Sequence, residues 1–170
     1  MERVAKFYKV SQKQFVDAYT QEFNCTQEHA KKVYDNIKLP KRATTGSAGY
    51  DFFSTVDVKL NAGEGVKIPT GIRAEIAEGW VLQIFPRSGL GFKYRVQLDN
   101  TVGIIDSDYF YSDNEGHIFV KITNDGKKGK TAELSQGTGF AQGIFLPFGI
   151  TTDDDTTEKR NGGFGSTGNC

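Results

Sequence analysis

The sequence predicts a mainly β chain, a β-sandwich or jelly roll, preceded by a helical hairpin and followed by a glycine-rich arm. Three observations lead there. Beyond residue 40 the apolar residues come in short runs bounded by Gly, Asn, Asp or Pro, several alternating with polar residues as half-buried antiparallel strands do. Before residue 40 they recur instead at helical spacing. After residue 150 the apolar runs stop.

In chain order, Ser11 followed by Gln14 has the form of a capping box, and Phe15, Ala18, Tyr19 and Phe23 then share one helical face. Thr26 is a second N-cap with Glu28 in the first turn; Ala30, Val33, Tyr34 and Ile37 line a face until Pro40 ends the run. Helices are thus expected over 11–23 and 27–38. This hairpin (1–38) is either a packing element or a docking surface for a protein partner. VDVKL (56–60), GVKIPTGIRAEI (65–76), WVLQIF (80–85), HIFVKIT (117–123) and GIFLPF (143–148) read as strands of a β domain over 39–150. Many short strands with frequent turns favour a sandwich or jelly roll over a parallel α/β sheet. Asp153 to Glu158 reads as a solvated linker, which makes 151–170 a tethered arm carrying NGGFGSTG.

Composition excludes more than it selects. The 170 residues carry 21 basic and 21 acidic side chains, a formal net charge of zero, with no basic stripe for nucleic acid or a membrane surface. No apolar run approaches spanning length, and nothing has the form of a signal peptide. Cys25 and Cys170 stand far apart and without metal-ligand spacing. Free thiols in a reducing, cytoplasmic setting are the expectation.

Five stretches carry the polar chemistry: AGYDFFS (48–54), PRSGLGFK (86–93), DNTVGIIDSDY (99–109), GFAQGIFLPF (139–148) and NGGFGSTG (161–168). Singly each is weak: Asp51 suits an ordinary turn, Arg87 and Ser88 a helix start, and Asp106 with Asp108 a charged surface. Together they suit a nucleotide. Glycine-rich turns expose backbone N–H groups to phosphate, Ser88, Ser166 and Thr167 add hydroxyls, and Arg87 and Arg160 add guanidinium groups. Phe164 offers a stacking face and Asn100 an edge reader with both donor and acceptor. An ionised Asp106 cannot bind phosphate directly, but it can hold a water, which makes it a candidate general base.

In order and spacing, these stretches resemble the five motifs of the homotrimeric dUTP pyrophosphatase (dUTPase) family from about Leu39 to Gly168. The resemblance implies a jelly-roll, β-clip homotrimer whose active sites are shared between subunits, and hydrolysis of dUTP to dUMP and pyrophosphate. It implies Mg2+ held by the triphosphate and water, with Asp51 behind the site, reaching metal only through a water. Carried over by position, Asp106 activates the water that attacks the α-phosphorus. Tyr109 packs on the deoxyribose and leaves no room for a 2′-hydroxyl. Asn100 and the backbone of Gly103, Ile104 and Ile105 read uracil. Arg87, Ser88, Gly89 and Gln142 contact phosphate. Arg160, Phe164, Gly165, Ser166 and Thr167 belong to the arm, which closes over bound nucleotide as a lid.

Three positions depart from the family pattern. Gly139 stands where the fourth motif has an arginine, so that a phosphate contact is lost or comes from Lys93 or Lys159. Lys159 holds the place of the usual arginine of the fifth motif, with Arg160 next to it. Residues 110–115 lengthen the stretch between Tyr109 and Gly116, which bears on the pyrimidine pocket. Two other readings use the same residues: a dCTP deaminase, for which PRSGLGFKYRVQLDN offers no acid in the pyrimidine pocket, and a nucleotide-gated regulatory protein that engages a partner through the hairpin.

Overall fold

The computed structural model describes residues 1–126 and 129–158. In chain order its elements are β1 (Ala5–Lys9), α1 (Gln12–Phe23), α2 (Gln27–Asp35), β2 (Lys41–Arg42), β3 (Tyr50–Phe53), β4 (Val58–Leu60), β5 (Gly65–Pro69) and β6 (Ile72–Ile76). There follow β7 (Trp80–Pro86), α3 (Ser88–Tyr94), β8 (Val96–Leu98), β9 (Gly103–Ile105), a 3-10 turn (Ser107–Tyr111), β10 (Phe119–Asn124), β11 (Ala132–Leu134) and β12 (Gly139–Pro147). The largest sheet runs β2-β3-β12-β7-β9; the others are β5-β10-β8, β11-β4 and β1-β6. Every pairing is antiparallel.

Strand alternation turns Phe52, Ile68, Leu82, Ile84, Ile118, Ile122 and Phe140 into one core, each at most 2% exposed. The mainly β expectation therefore holds. Strand β1 was not anticipated. AKFYK forms β1, paired Ala5↔Ile76 to Lys9↔Ile72, so the N-terminal segment is strand as well as helix. SGLGFKY forms α3 despite its two glycines, closing at Arg95 in a left-handed conformation (φ 56°).

The two expected caps are present. Ser11 Oγ accepts from the Gln14 N–H at 3.1 Å, and Thr26 Oγ1 from the His29 N–H at 3.2 Å. The reciprocal bond of a capping box comes from elsewhere: the Ser11 N–H donates to Glu115 Oε2, 104 residues away, at 2.7 Å. The second helix stops at Asp35 rather than 38. Asn36 ends it, its amide donating to the Lys32 carbonyl at 2.8 Å, the local competition that makes Asn a poor helix continuer. Val10, Phe15, Val16, Tyr19, Ala30 and Val33 form a second core, so the apolar face of the hairpin is consumed inside the fold. Phe7 of β1 and Ile37 pack on the main core. This supports the packing role over the docking role.

The junction is tight at Gly71, where φ is +71° and a Cβ would lie 2.3 Å from Ile37 Cδ1 and 3.0 Å from Phe15 Cδ2. Only glycine meets both demands. No helix among the described residues is long and apolar enough to cross a membrane.

Candidate active site

Strand pairing gathers the first group of polar residues. Gln142 of β12 lies opposite Asp51 of β3 on one side and Phe85 of β7 on the other. Its Nε2 donates to the Pro86 carbonyl at 3.2 Å. The chain then leaves β7 through Arg87, whose Nε stands 3.3 Å from Asp51 Oδ1 and whose Nη1 donates to the Gly139 carbonyl at 3.4 Å. Asp51, Arg87 and Gln142, weak signals singly, are thus one cluster. Ser88 and Gly89 follow, both exposed at the start of α3.

Gly139 packs against the Arg87 side chain. A Cβ there would come 2.7 Å from Arg87 Nη1. The guanidinium of Arg87 fills the space beside position 139, and a register shift between Gly139 and Ala141 bends β12 at that point.

The second group surrounds the β8–β9 turn. Thr101 adopts φ +64°, its N–H donates to the Leu98 carbonyl at 3.0 Å, and the Val102 N–H donates to the Asn100 carbonyl at 2.6 Å. Gly103 lies flat against Ile84, where a Cβ would approach Ile84 Cβ to 3.2 Å. A largely apolar cavity of about 410 Å3 opens here, lined by Ile84, Leu98, Asn100, Gly103, Ile105 and Val120. A mostly apolar cavity with the Asn100 amide and the charged Lys67, Asp99 and Lys121 in its lining suits a flat heterocycle with a polar edge. Ile104, by the alternation of β9, faces outward and is 48% exposed.

Asp99 also lines this cavity, and sequence reading missed it. It bonds Lys121 Nζ at 2.8 Å and accepts from Thr123 Oγ1 at 2.5 Å. The hydrogen bonds from Lys121 and Thr123 hold its carboxyl below the usual range. Both partners lie on β10, so only the β8–β10 pairing could have revealed them.

Asp106 follows β9 and opens the 3-10 turn, its carbonyl accepting from the Tyr109 N–H at 3.2 Å. Tyr109 is 2% exposed; its hydroxyl donates to the His117 carbonyl at 2.7 Å and accepts from Asn114 Nδ2 at 2.8 Å.

Within one chain Asp106 stands well away from Arg87, although Gly103 of the cavity wall pairs with Ile84, three residues from Arg87. Leu82 of β7 pairs with Ile105, which sets Asp106 level with Val81, while Arg87 lies at the opposite end of β7. Six residues of strand separate those levels, roughly 20 Å at about 3.3 Å per residue. Arg160, Phe164, Gly165, Ser166 and Thr167, like Lys159, lie outside the described residues. Among the described residues no group of three His, Cys, Asp or Glu side chains is arranged to hold a metal ion.

Residues 35–168 match the family model for dUTPase. The chain belongs to the dUTPase family. A deoxyuridine 5'-triphosphate nucleotidohydrolase of Lactococcus lactis is 42% identical over 135 residues, covering 78% of this chain and 89% of that protein. The crystal structure of the dUTPase from Streptococcus mutans superposes with a TM-score of 0.62 at 34% identity, over 85% of this chain and 97% of that one. A mutant dUTPase from phage phi11 of S. aureus, described with a structural Mg(II) ion, has the same fold (TM-score 0.62, 19% identity, 92% and 98% covered). The family match begins at the end of α2 and takes in all five polar stretches.

Proposed function

We propose that the chain is a dUTP pyrophosphatase that hydrolyses dUTP to dUMP and pyrophosphate, supplying dUMP and keeping dUTP out of the DNA precursor pool. The observation that carries this is the family match over 35–168, which holds Asp106 and the Asn100–Ile105 wall of the cavity in one continuous segment. In this reading uracil enters the cavity beside Asn100 and the backbone of Gly103, Ile104 and Ile105, and the deoxyribose lies against Tyr109. Arg87, Ser88, Gly89 and Gln142 take the phosphates. From the arm, Phe164 covers the base, while Arg160, Gly165, Ser166 and Thr167 close on the phosphate chain.

Asp106 holds a water in line with the α-phosphorus and receives its proton as the oxygen attacks. The bond from the α-phosphorus to the bridging oxygen breaks, and that oxygen leaves with pyrophosphate. Mg2+, when bound to the triphosphate, offsets the charge that accumulates on the leaving phosphates. Asp51, partly exposed beside Arg87, is the carboxylate we assign to a metal-bound water. A homotrimer with shared sites follows from the same reading, supported by the separation of Asp106 from Arg87 along β7. The two isolated cysteines support the cytoplasm as its compartment.

Pyrophosphate release from a panel of deoxynucleoside triphosphates, with and without Mg2+, tests the proposal. The expected result is rapid Mg2+-dependent cleavage of dUTP with dCTP and dTTP left intact. Ammonia release from dCTP would replace this reading with a deaminase.

A further inference from the structure

We infer that the N-terminal segment 1–38 and the inserted segment 110–115 form a single device that sets the position of Tyr109, with Glu115 as the positioning residue that joins them. The inference rests on the dUTP reading, which assigns Tyr109 to the sugar.

The two segments, one mostly before the family match and the other inside it, meet. Glu115 grips Ser11 with both carboxylate oxygens: the Ser11 N–H donates to Oε2 and the Ser11 hydroxyl to Oε1, both at 2.7 Å. To reach Ser11, Glu115 adopts φ +59°, a left-handed conformation that residues with a side chain hold only when their surroundings demand it. Gly116 continues the turn at φ +69°, where a Cβ would lie 2.8 Å from the Tyr109 carbonyl oxygen. Burial works to raise the Glu115 carboxyl, but hydrogen bonds from Ser11 and the charge of Arg73 outweigh it and hold it below the usual range.

The inserted residues are fixed to the N-terminal strand pair as well. Arg73 of β6 donates to the Phe110 carbonyl at 2.5 Å and stacks its guanidinium 3.6 Å from the Phe110 ring centroid. Tyr8 of β1 stands 5.8 Å from the same ring. Inside the loop three side-chain hydrogen bonds meet on Tyr109. Asn114 Nδ2 donates to its hydroxyl, Ser112 Oγ donates to its carbonyl at 2.7 Å, and its hydroxyl donates to the His117 carbonyl.

His117 ties that end back to the hairpin. Its Nε2 accepts the Gly71 N–H at 2.9 Å, and the Gly71 carbonyl accepts the Val10 N–H at 3.0 Å. The His117 ring is fully buried, between Phe15 at 6.1 Å and Phe119 at 4.3 Å, and burial pushes its pKa down to about 3. A neutral, hydrogen-bonded imidazole is thus fixed between helix α1 and the residue that anchors the tyrosine hydroxyl. A continuous path of contacts runs from α1 through Glu115 and His117 to Tyr109.

A purely structural role would lower activity toward every nucleotide in parallel, through the amount of folded enzyme. A positioning role changes discrimination, because Tyr109 is the side chain assigned to exclude a 2′-hydroxyl. The experiment compares wild type with Glu115→Gln, Ser11→Ala and the double variant, measuring kcat and KM for dUTP and UTP. Glu115→Gln keeps the shape and one acceptor oxygen, and Ser11→Ala removes the hydroxyl bond from the other side, together with the cap on the Gln14 N–H. KM for dUTP is expected to rise about tenfold in Glu115→Gln with kcat within about twofold, and the preference for dUTP over UTP to fall about tenfold. The double variant should fall short of the sum of the single effects, since both act on the same carboxylate–serine contact. An unchanged dUTP:UTP preference in both single variants, or strictly additive effects, overturns the inference. Wild-type protein that leaves dUTP intact overturns the functional reading and this inference with it; an active wild type with unaltered variants overturns the inference alone.

Discussion

Asp106→Asn is expected to lower dUTP turnover by about 10²–10⁴-fold while nucleotide affinity stays within a few-fold, the range seen when a general base is removed. Asn has nearly the same shape and remains a hydrogen-bond acceptor through one oxygen, so the water keeps a partner. It cannot take the proton. Position 106 is partly exposed at the mouth of a 3-10 turn and does not belong to the buried core, so the substitution leaves the fold intact. Single-turnover rates and dUTP affinity, measured on the same preparation, separate the two effects. A fall of less than tenfold would remove Asp106 from its assigned role.

Mixing two crippled proteins should restore activity. Asp106→Asn spoils the group at the β9 end of β7, and Arg87→Ala spoils the group at the other end, about 20 Å away along the strand. If each site takes Asp106 from one copy and Arg87 from its neighbour, a mixed trimer contains sites that are intact on both sides. Every trimer that contains both variants has one intact site of three, whichever variant is in the majority, so about a third of wild-type turnover should return in doubly selected material. Co-expression of differently tagged variants followed by double affinity selection provides the material. Activity no greater than the sum of the separate variants would show that one chain supplies both groups.

What the sequence disclosed, and what it hid, follows the range of the interactions involved. The caps at Ser11 and Thr26 were legible because a cap is settled within three residues. Strand β1 was not, because AKFYK is short and its partner β6 lies more than sixty residues away. Helix α3 begins where Arg87 and Ser88 offered a helix start, although Gly89 and Gly91 lower local helix propensity. In the site, Asp51, Arg87 and Gln142 were each picked out by motif, yet their meeting depends on the β3-β12-β7 register. Gly139 was picked out as a departure from the family pattern, but its place against the Arg87 guanidinium is visible only in the fold. Asp99 was passed over because its partners, Lys121 and Thr123, come from another strand. The contact of Glu115 with Ser11 spans 104 residues, beyond any local pattern.

The central claim is that a water held by Asp106 attacks the α-phosphorus of dUTP. Hydrolysis in water enriched in 18O, with products separated and weighed by mass spectrometry, reads the site of attack directly. The label is expected in dUMP, one atom per turnover, with unlabelled pyrophosphate. Label in pyrophosphate and none in dUMP would place the attack on the β-phosphorus and contradict the role given to Asp106.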